Sequence, residues 1–304
     1  MPHLLSMKDL DRQTIENLLN RADQLLHDIV KKEKKLDTLA GVVAANLFFE
    51  PSTRTQFSFS IAAHRLGAFV LNPLINHTST VKGESLLDTL RTFIAMGSRL
   101  IVMRHKEDYI VENLASEIHD SACLINGGDG CHQHPSQALL DLLTIRQHKG
   151  DFAHLKVAII GDIAHSRVVR SLVQGLTTMG CRQIAVIAPL EFFPADISKW
   201  PVTPYTSITE GMSNADVVIT LRIQLERISL PPSSPSPAQF LEKFRLTSEN
   251  LQLTKPDAIV MHPAPINREI EISSEVADGP QSVIFQQISN GVAMRMAIIE
   301  WLMS

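Results

Sequence analysis

The sequence predicts an α/β protein of two domains, each a parallel sheet flanked by helices, with a last helix packing back on the first domain. Three observations carry that expectation. The 304 residues exceed the usual size of one hydrophobic core. Short apolar runs of strand length alternate with amphipathic stretches of helical period. That alternation restarts near residue 150, so the domains are drawn at 1–149 and 150–285, with a helix at 286–304 returning to the first.

The elements follow in order. Leu10, Ile15, Leu18, Leu19, Leu25 and Leu26 recur at helical spacing, predicting a helix over 8–30 with Ser6 as its cap. Residues 42–49, VVAANLFF, have the unbroken apolar character of a strand buried on both faces. Glu50-Pro51 stops that strand, and a helical pattern runs over 52–66. A strand at 69–71, a helix at 84–96, a strand at 100–103, a helix near 108–118 and a strand at 123–126 complete the first alternation. A long helix at 134–148 leaves it. The second half reads as strand 156–160, helix 166–179, and strands 183–188, 216–220 and 258–261. A closing helical pattern covers 288–303 with no strand after it.

Composition narrows the function classes. With 44% apolar and 20% charged residues the chain is ordinary for a globular protein. A net charge of −4 argues against a nucleic-acid partner. No apolar run has membrane-spanning length, and the first residues lack the basic-then-apolar design of a signal peptide. Cys123, Cys131 and Cys181 are scattered and odd in number, so a reducing cytoplasm is expected. Residues 231–237, PPSSPSP, are the one segment whose composition cannot build a core element.

The strongest chemical signal is 48–59, FFEPSTRTQFSF. A strand ends, proline turns the chain, and a helix opens with three hydroxyls around an arginine. Free amides and the helix dipole at that point favour an anion. A cap needs one hydroxyl. Three, with an arginine between them, make a phosphate cradle of Ser52, Thr53, Arg54 and Thr55.

This segment resembles the Ser-Thr-Arg-Thr motif of the aspartate and ornithine carbamoyltransferases, and the resemblance continues in order along nearly the whole chain. Residues 78–84, TSTVKGE, resemble the family's mobile loop, which reaches into a neighbouring subunit's site with a serine and a lysine. Ser79 and Lys82 are the matching residues, with Thr78 and Thr80 as alternatives for the hydroxyl. Val102-Met103-Arg104-His105 resembles the strand end that supplies an arginine. Gly128-Asp129-Gly130 with His134-Pro135-Ser136-Gln137 resembles the segment bearing the site's histidine and glutamine. Gly161-Asp162 with Arg167, Leu221-Arg222-Ile223-Gln224 with Glu226-Arg227, and Met261-His262-Pro263-Ala264-Pro265 resemble the amino-acid-binding half.

The resemblance implies transfer of the carbamoyl group of carbamoyl phosphate to an amine without a cofactor. Ser52 to Thr55 would hold the phosphate, with Arg104 and Lys82 adding charge. His134, Arg104 and Thr55 are suited to donate to the carbonyl oxygen as it becomes an oxyanion, a donor of the kind whose loss costs about 3–4 kcal/mol. Gln137 and the carbonyls of Ala264 and Pro265 could accept from the carbamoyl amino group. Arg167 and Arg222, with Gln224 and Lys82, would clamp a dicarboxylate. Glu50 would pair with Arg167 and Arg227 when the halves close. Two arginines suit L-aspartate and repel ornithine, and the ornithine branch's His-Cys-Leu-Pro is replaced here by His262-Pro263-Ala264-Pro265. The implied pathway is pyrimidine (UMP) synthesis. A loop crossing to a neighbour implies a homotrimer with shared sites, and association with a regulatory chain or a dihydroorotase is left open.

Other readings are weaker. Cys131-His132-Gln133-His134 has no second Cys/His pair at metal-site spacing, so no metal is expected. VAIIGD at 157–162 lacks the glycine pattern of a dinucleotide turn. A catalytically silent partner protein would have lost part of the Ser-Thr-Arg-Thr, Lys82 or His134 set, which is intact. Gln56, Ser60 and Ser136 stand where arginine, glutamate and threonine are usual in the family. Gln56 and Ser60 together remove two opposite charges.

Overall fold

Ser6 does not cap the long first helix. Its hydroxyl accepts from the Lys8 amide while Asp9 accepts from the Ser6 amide, a reciprocal capping box that closes one 3-10 turn, Met7–Asp9. Leu10 is extended, and helix α1, Arg12–Leu25, begins only after Asp11, whose carboxylate accepts from the Thr14 amide. Two caps within six residues thus split the helix expected over 8–30, and its end winds into a π-helical turn, Leu26–Val30.

The computed structural model describes residues 2–75, 83–223 and 243–304. The chain divides into two units, Met1–Leu143 with Ser289–Ser304, and Thr144–Ile288. In the first, β1 (Val43–Phe48), α2 (Thr53–Arg65), β2 (Phe69–Leu71), α3 (Leu86–Ala95), β3 (Ser98–His105), α4 (Ile110–Ile118) and β4 (Cys123–Asp129) lead to α5 (Pro135–Lys149). Its strands are all parallel, in the order β2-β1-β3-β4. Leu47, Met103 and Leu124 of the sheet pack with Leu90 of α3 and Val111, Leu114 and Ile118 of α4. Each such buried side chain stabilises the fold by about 1.5–3 kcal/mol.

The second unit holds β5 (Lys156–Ile160), α6 (Arg167–Thr178), β6 (Gln183–Ile187), β7 (Thr203–Tyr205), α7 (Ile208–Met212), β8 (Val217–Thr220), α8 (Ser248–Leu251), β9 (Ile259–Met261) and α9 (Ser274–Ala277). Its strands are also parallel, in the order β7-β6-β5-β8-β9. Strand β7 escapes the sequence pattern because it is three residues long and contains Pro204, which only an edge strand tolerates.

The last helix, α10 (Ile284–Met303), starts a turn earlier than its apolar pattern. Ser289–Ser304 belong to the first unit, as expected of a helix packing back. A two-pronged ion pair of Arg21 with Glu300, at 2.6 and 3.0 Å, ties α10 to α1. Among the described residues no helix is long and apolar enough to cross a membrane.

Candidate active site

In the first sheet the order of winding reverses between β1 and β3, the position where open α/β sheets bind ligands beyond the carboxyl ends of their strands. The chain leaves β1 through Glu50 and Pro51 into α2. Ser52 is the N-cap residue, yet its hydroxyl makes no capping bond, whereas Asp11 and Ser85 cap their helices through their side chains. The Ser52 oxygen is therefore not consumed by the helix. Thr53 and Arg54 are exposed and Thr55 is buried.

The parallel register sets Phe48 opposite Arg104 at the end of β3. Arg104 Nε lies 3.1 Å from Glu50 Oε2, and Nη1 donates to the Gly127 carbonyl at 3.3 Å. Glu50 thus has a partner within its own unit, brought to it by the β1–β3 pairing, that sequence reasoning did not name.

At the end of β4, Asp129 is completely buried. Its Oδ1 accepts from Asn126 Nδ2 at 2.8 Å and from the Gln133 amide at 3.0 Å. Its Oδ2 accepts from the Tyr109 amide at 2.8 Å and lies 3.0 Å from His132 Nδ1. Burial raises its pKa, but the bonds from His132 and Asn126 outweigh that and hold it below the ordinary aspartate value. The carboxylate shapes the turn that leads to His134. Glycines 127 and 128 remain in β4, and the turn begins at Gly130, where φ is +42° and a Cβ would collide with Asp108. His132 is engaged by Asp129 and by the Tyr109 ring at 3.9 Å. Among the described residues no cluster of three or more His, Cys, Asp or Glu could hold a metal.

His134 is buried just ahead of Pro135, which starts α5 at the position where a missing amide costs nothing. One turn on, Gln137 is also buried, and its Nε2 donates to Asp141 Oδ1 at 2.9 Å.

In the second unit the winding reverses between β5 and β8. Gly161 follows β5 with φ +131°, and a Cβ there would lie 2.7 Å from the Leu221 carbonyl that follows β8. Buried Asp162 accepts from the His165 amide at 3.1 Å and lies 2.9 Å from its Nδ1, shaping the turn before Arg167. Arg167 opens α6 and is buried, and Arg222 follows β8, half-buried. Beyond β9, His262 Nδ1 accepts from the Ala264 amide at 2.8 Å, so its ring proton sits on Nε2, 3.1 Å from Glu271 Oε1. The same Glu271 oxygen accepts from the Asn267 amide at 2.6 Å. A fully buried His–Glu pair thereby fixes the turn carrying Ala264, whose φ is +55°, and Pro265. Thr78, Ser79, Thr80, Lys82, Gln224, Glu226, Arg227 and the 231–237 segment lie outside the described residues.

Residues 2–147 match the family described as aspartate/ornithine carbamoyltransferase, carbamoyl-P binding domain, and residues 153–302 match its Asp/Orn binding domain. The chain belongs to the aspartate/ornithine carbamoyltransferase family. Among the relatives of this carbamoyltransferase is the aspartate carbamoyltransferase catalytic subunit of Coxiella burnetii (strain Dugway 5J108-111), 50% identical over 98% of this chain and 95% of that protein. A Trypanosoma cruzi aspartate transcarbamoylase in complex with carbamoyl phosphate and aspartate superposes with a TM-score of 0.88 at 31% identity, over 98% and 95% of the two chains. An ornithine carbamoyltransferase from Gloeobacter violaceus gives 0.83 at 28% identity, over 100% and 99%. Both branches therefore share the fold.

Sequence reasoning names Asp129 only as part of a motif, without a role, and misses three further groups of this carbamoyltransferase, Asp141, Glu271 and Arg295. Each is a buried charge. A signal existed for two of those three, since Asp141 interrupts Ala-Leu-Leu-Asp-Leu-Leu and Arg295 interrupts Val-Ala-Met-Arg-Met-Ala.

Proposed function

We propose that this chain is an aspartate carbamoyltransferase, which joins the carbamoyl group of carbamoyl phosphate to the amine of L-aspartate, giving N-carbamoyl-L-aspartate and phosphate for pyrimidine synthesis. The observation that carries the reading is 50% identity, across nearly the full length, with proteins named for that activity. In keeping with it, arginines stand after both strands flanking the second winding reversal, Arg167 after β5 and Arg222 after β8. The same reading assigns carbamoyl phosphate to a domain of residues 1–149 with 286–304, and aspartate to residues 150–285.

In this mechanism the phosphate dianion sits at the start of α2, held by Ser52, Thr53, Arg54 and Thr55 and by helix amides. Arg104, now on Glu50, turns to the stronger charge of the dianion. Glu50 is then released for Arg167 and Arg227, which favours closure. Thr55, Arg104 and His134 donate to the carbonyl oxygen, while Gln137 and the Ala264 and Pro265 carbonyls accept from the carbamoyl nitrogen. Arg167 and Arg222, with Gln224 and Lys82, hold the aspartate carboxylates. The aspartate amine attacks the carbonyl carbon, the bond from that carbon to the phosphate oxygen breaks, and the leaving phosphate takes the amine proton. No side chain acts as nucleophile, so alignment of the two substrates supplies much of the rate. Ser79 and Lys82 enter from a neighbouring subunit, which makes a homotrimer the active form.

The test is direct. Purified protein incubated with carbamoyl phosphate and L-aspartate, with L-ornithine in parallel, is expected to form carbamoyl-aspartate and no citrulline. Citrulline formation would reassign the second unit to ornithine, and silence with both acceptors would refute the transferase reading.

A further inference from the structure

Gln137 and Asp141 stand four residues apart on α5, on one face of the helix. Gln137 Nε2 donates to Asp141 Oδ1 at 2.9 Å, and Asp141 has no solvent exposure. A carboxylate can only accept, so it commits the amide nitrogen of Gln137 to itself. What Gln137 can then offer a ligand is its carbonyl oxygen. Arg295 of α10, within electrostatic reach of Asp141, is buried, its guanidinium 5.0 Å over the ring of Phe59 on α2 and Nη1 donating to the Gly291 carbonyl at 3.1 Å. A Cβ at Gly291 would come within 2.5 Å of that Nη1, so the glycine leaves room for the guanidinium in this position. Burial pulls the Arg295 pKa down to about 10, opposed by the nearby Asp141 charge, so the residue remains a cation near neutral pH. Buried opposite charges add little net stability over apolar packing of the same shape.

We propose that Asp141, with Arg295 as its counter-charge, is a positioning residue that fixes the polarity of the Gln137 amide so that it accepts a hydrogen bond from the carbamoyl amino group. The proposal rests on the carbamoyl phosphate reading of this unit. With Asp141→Leu the acceptor is gone, nothing holds the Gln137 amide in one sense, and its reversal presents a donor to a donor. The loss should fall on the carbamoyl end of the substrate and spare the phosphate end.

Acetyl phosphate, which carries a methyl where carbamoyl phosphate has its amino group, separates the two ends. Dissociation constants for carbamoyl phosphate, acetyl phosphate and inorganic phosphate would be measured by calorimetry on the intact oligomer. The wild type should prefer carbamoyl over acetyl phosphate. Asp141→Leu, which takes the acceptor away, should shrink that preference by about tenfold while phosphate binding stays within about twofold. Because Asp141→Leu leaves Arg295 without its counter-charge and risks misfolding, the double variant Asp141→Leu/Arg295→Met removes both charges and should show the same lost preference. A preference kept in either folded variant, or a weakening shared equally by all three ligands, overturns the proposal alone. A wild type that binds carbamoyl and acetyl phosphate alike overturns the reading of Gln137 and this proposal with it.

Discussion

Asp129 fills both of its carboxylate oxygens with partners while wholly withdrawn from water. An amide in its place keeps one acceptor oxygen and sets a donor against a donor. Asp129→Asn should therefore destabilise the protein by about 2–3 kcal/mol near neutral pH, measured by urea unfolding. The pH dependence follows from the depressed pKa. Unfolded aspartate titrates near about 3.9, so the stabilising contribution is present above that value and disappears as pH falls through the lower folded one. Urea midpoints should drop less steeply below about pH 4 in the variant than in the wild type, and parallel slopes would assign the acid sensitivity elsewhere. Ser60 shows the limit of reading departures from a family pattern. The sequence states only that two opposite charges are gone. The structure shows what the hydroxyl does: it accepts from Asn46 Nδ2 at 3.0 Å, and its one proton is within reach of both the Gln56 carbonyl at 2.9 Å and Asn72 Oδ1 at 3.0 Å, linking β1 and α2 to the segment after β2. Asn46, buried in the middle of β1, also donates to Asn72 at 2.8 Å. A neutral network of this kind depends on which side chains meet in space, and residues 46, 60 and 72 have no shared spacing to announce it.

Strands and helices with a full apolar face were legible, because burial on both sides of a parallel strand and on one side of a helix imposes a pattern. Where pattern gave way, a local rule won. Two successive caps, Ser6 and Asp11, divide the helix expected at the start, and β7 carries a proline at the sheet edge. The carboxyl ends of β5 and β8 are held closer than a side chain permits, with Gly161 against the Leu221 carbonyl. Gly161→Ala places a methyl 2.7 Å from that oxygen and requires an unfavourable φ of +131°. The expected cost is about 2–4 kcal/mol of stability, seen as a lowered Tm, since both backbone strain and displacement of packed strands contribute. Because Arg167 and Arg222 follow these two strands, the KM for aspartate should rise more than the dissociation constant for carbamoyl phosphate. An equal change in both would separate the strand ends from acceptor binding.

At the scale of the whole molecule, the motif residues gather after strands that flank a winding reversal in each unit: Ser52 to Thr55 after β1, Arg104 at the end of β3, Arg167 after β5 and Arg222 after β8. Their order along the sequence was readable, but the strand order that makes them neighbours within a unit arises from tertiary pairing. If Ser79 and Lys82 complete a neighbour's site, then Lys82→Ala and Arg54→Ala proteins, each inactive alone, should regain partial activity when dissociated, mixed and reassembled. Continued silence in mixed oligomers of normal size would place each site within one chain. The first unit is discontinuous: residues before 144 are completed by Ser289–Ser304, which bring Arg295 beneath Phe59 and Glu300 to Arg21. A ribosome therefore finishes every strand of the second unit before releasing the helix that closes the first. The half of the protein that is made first is the last to become whole.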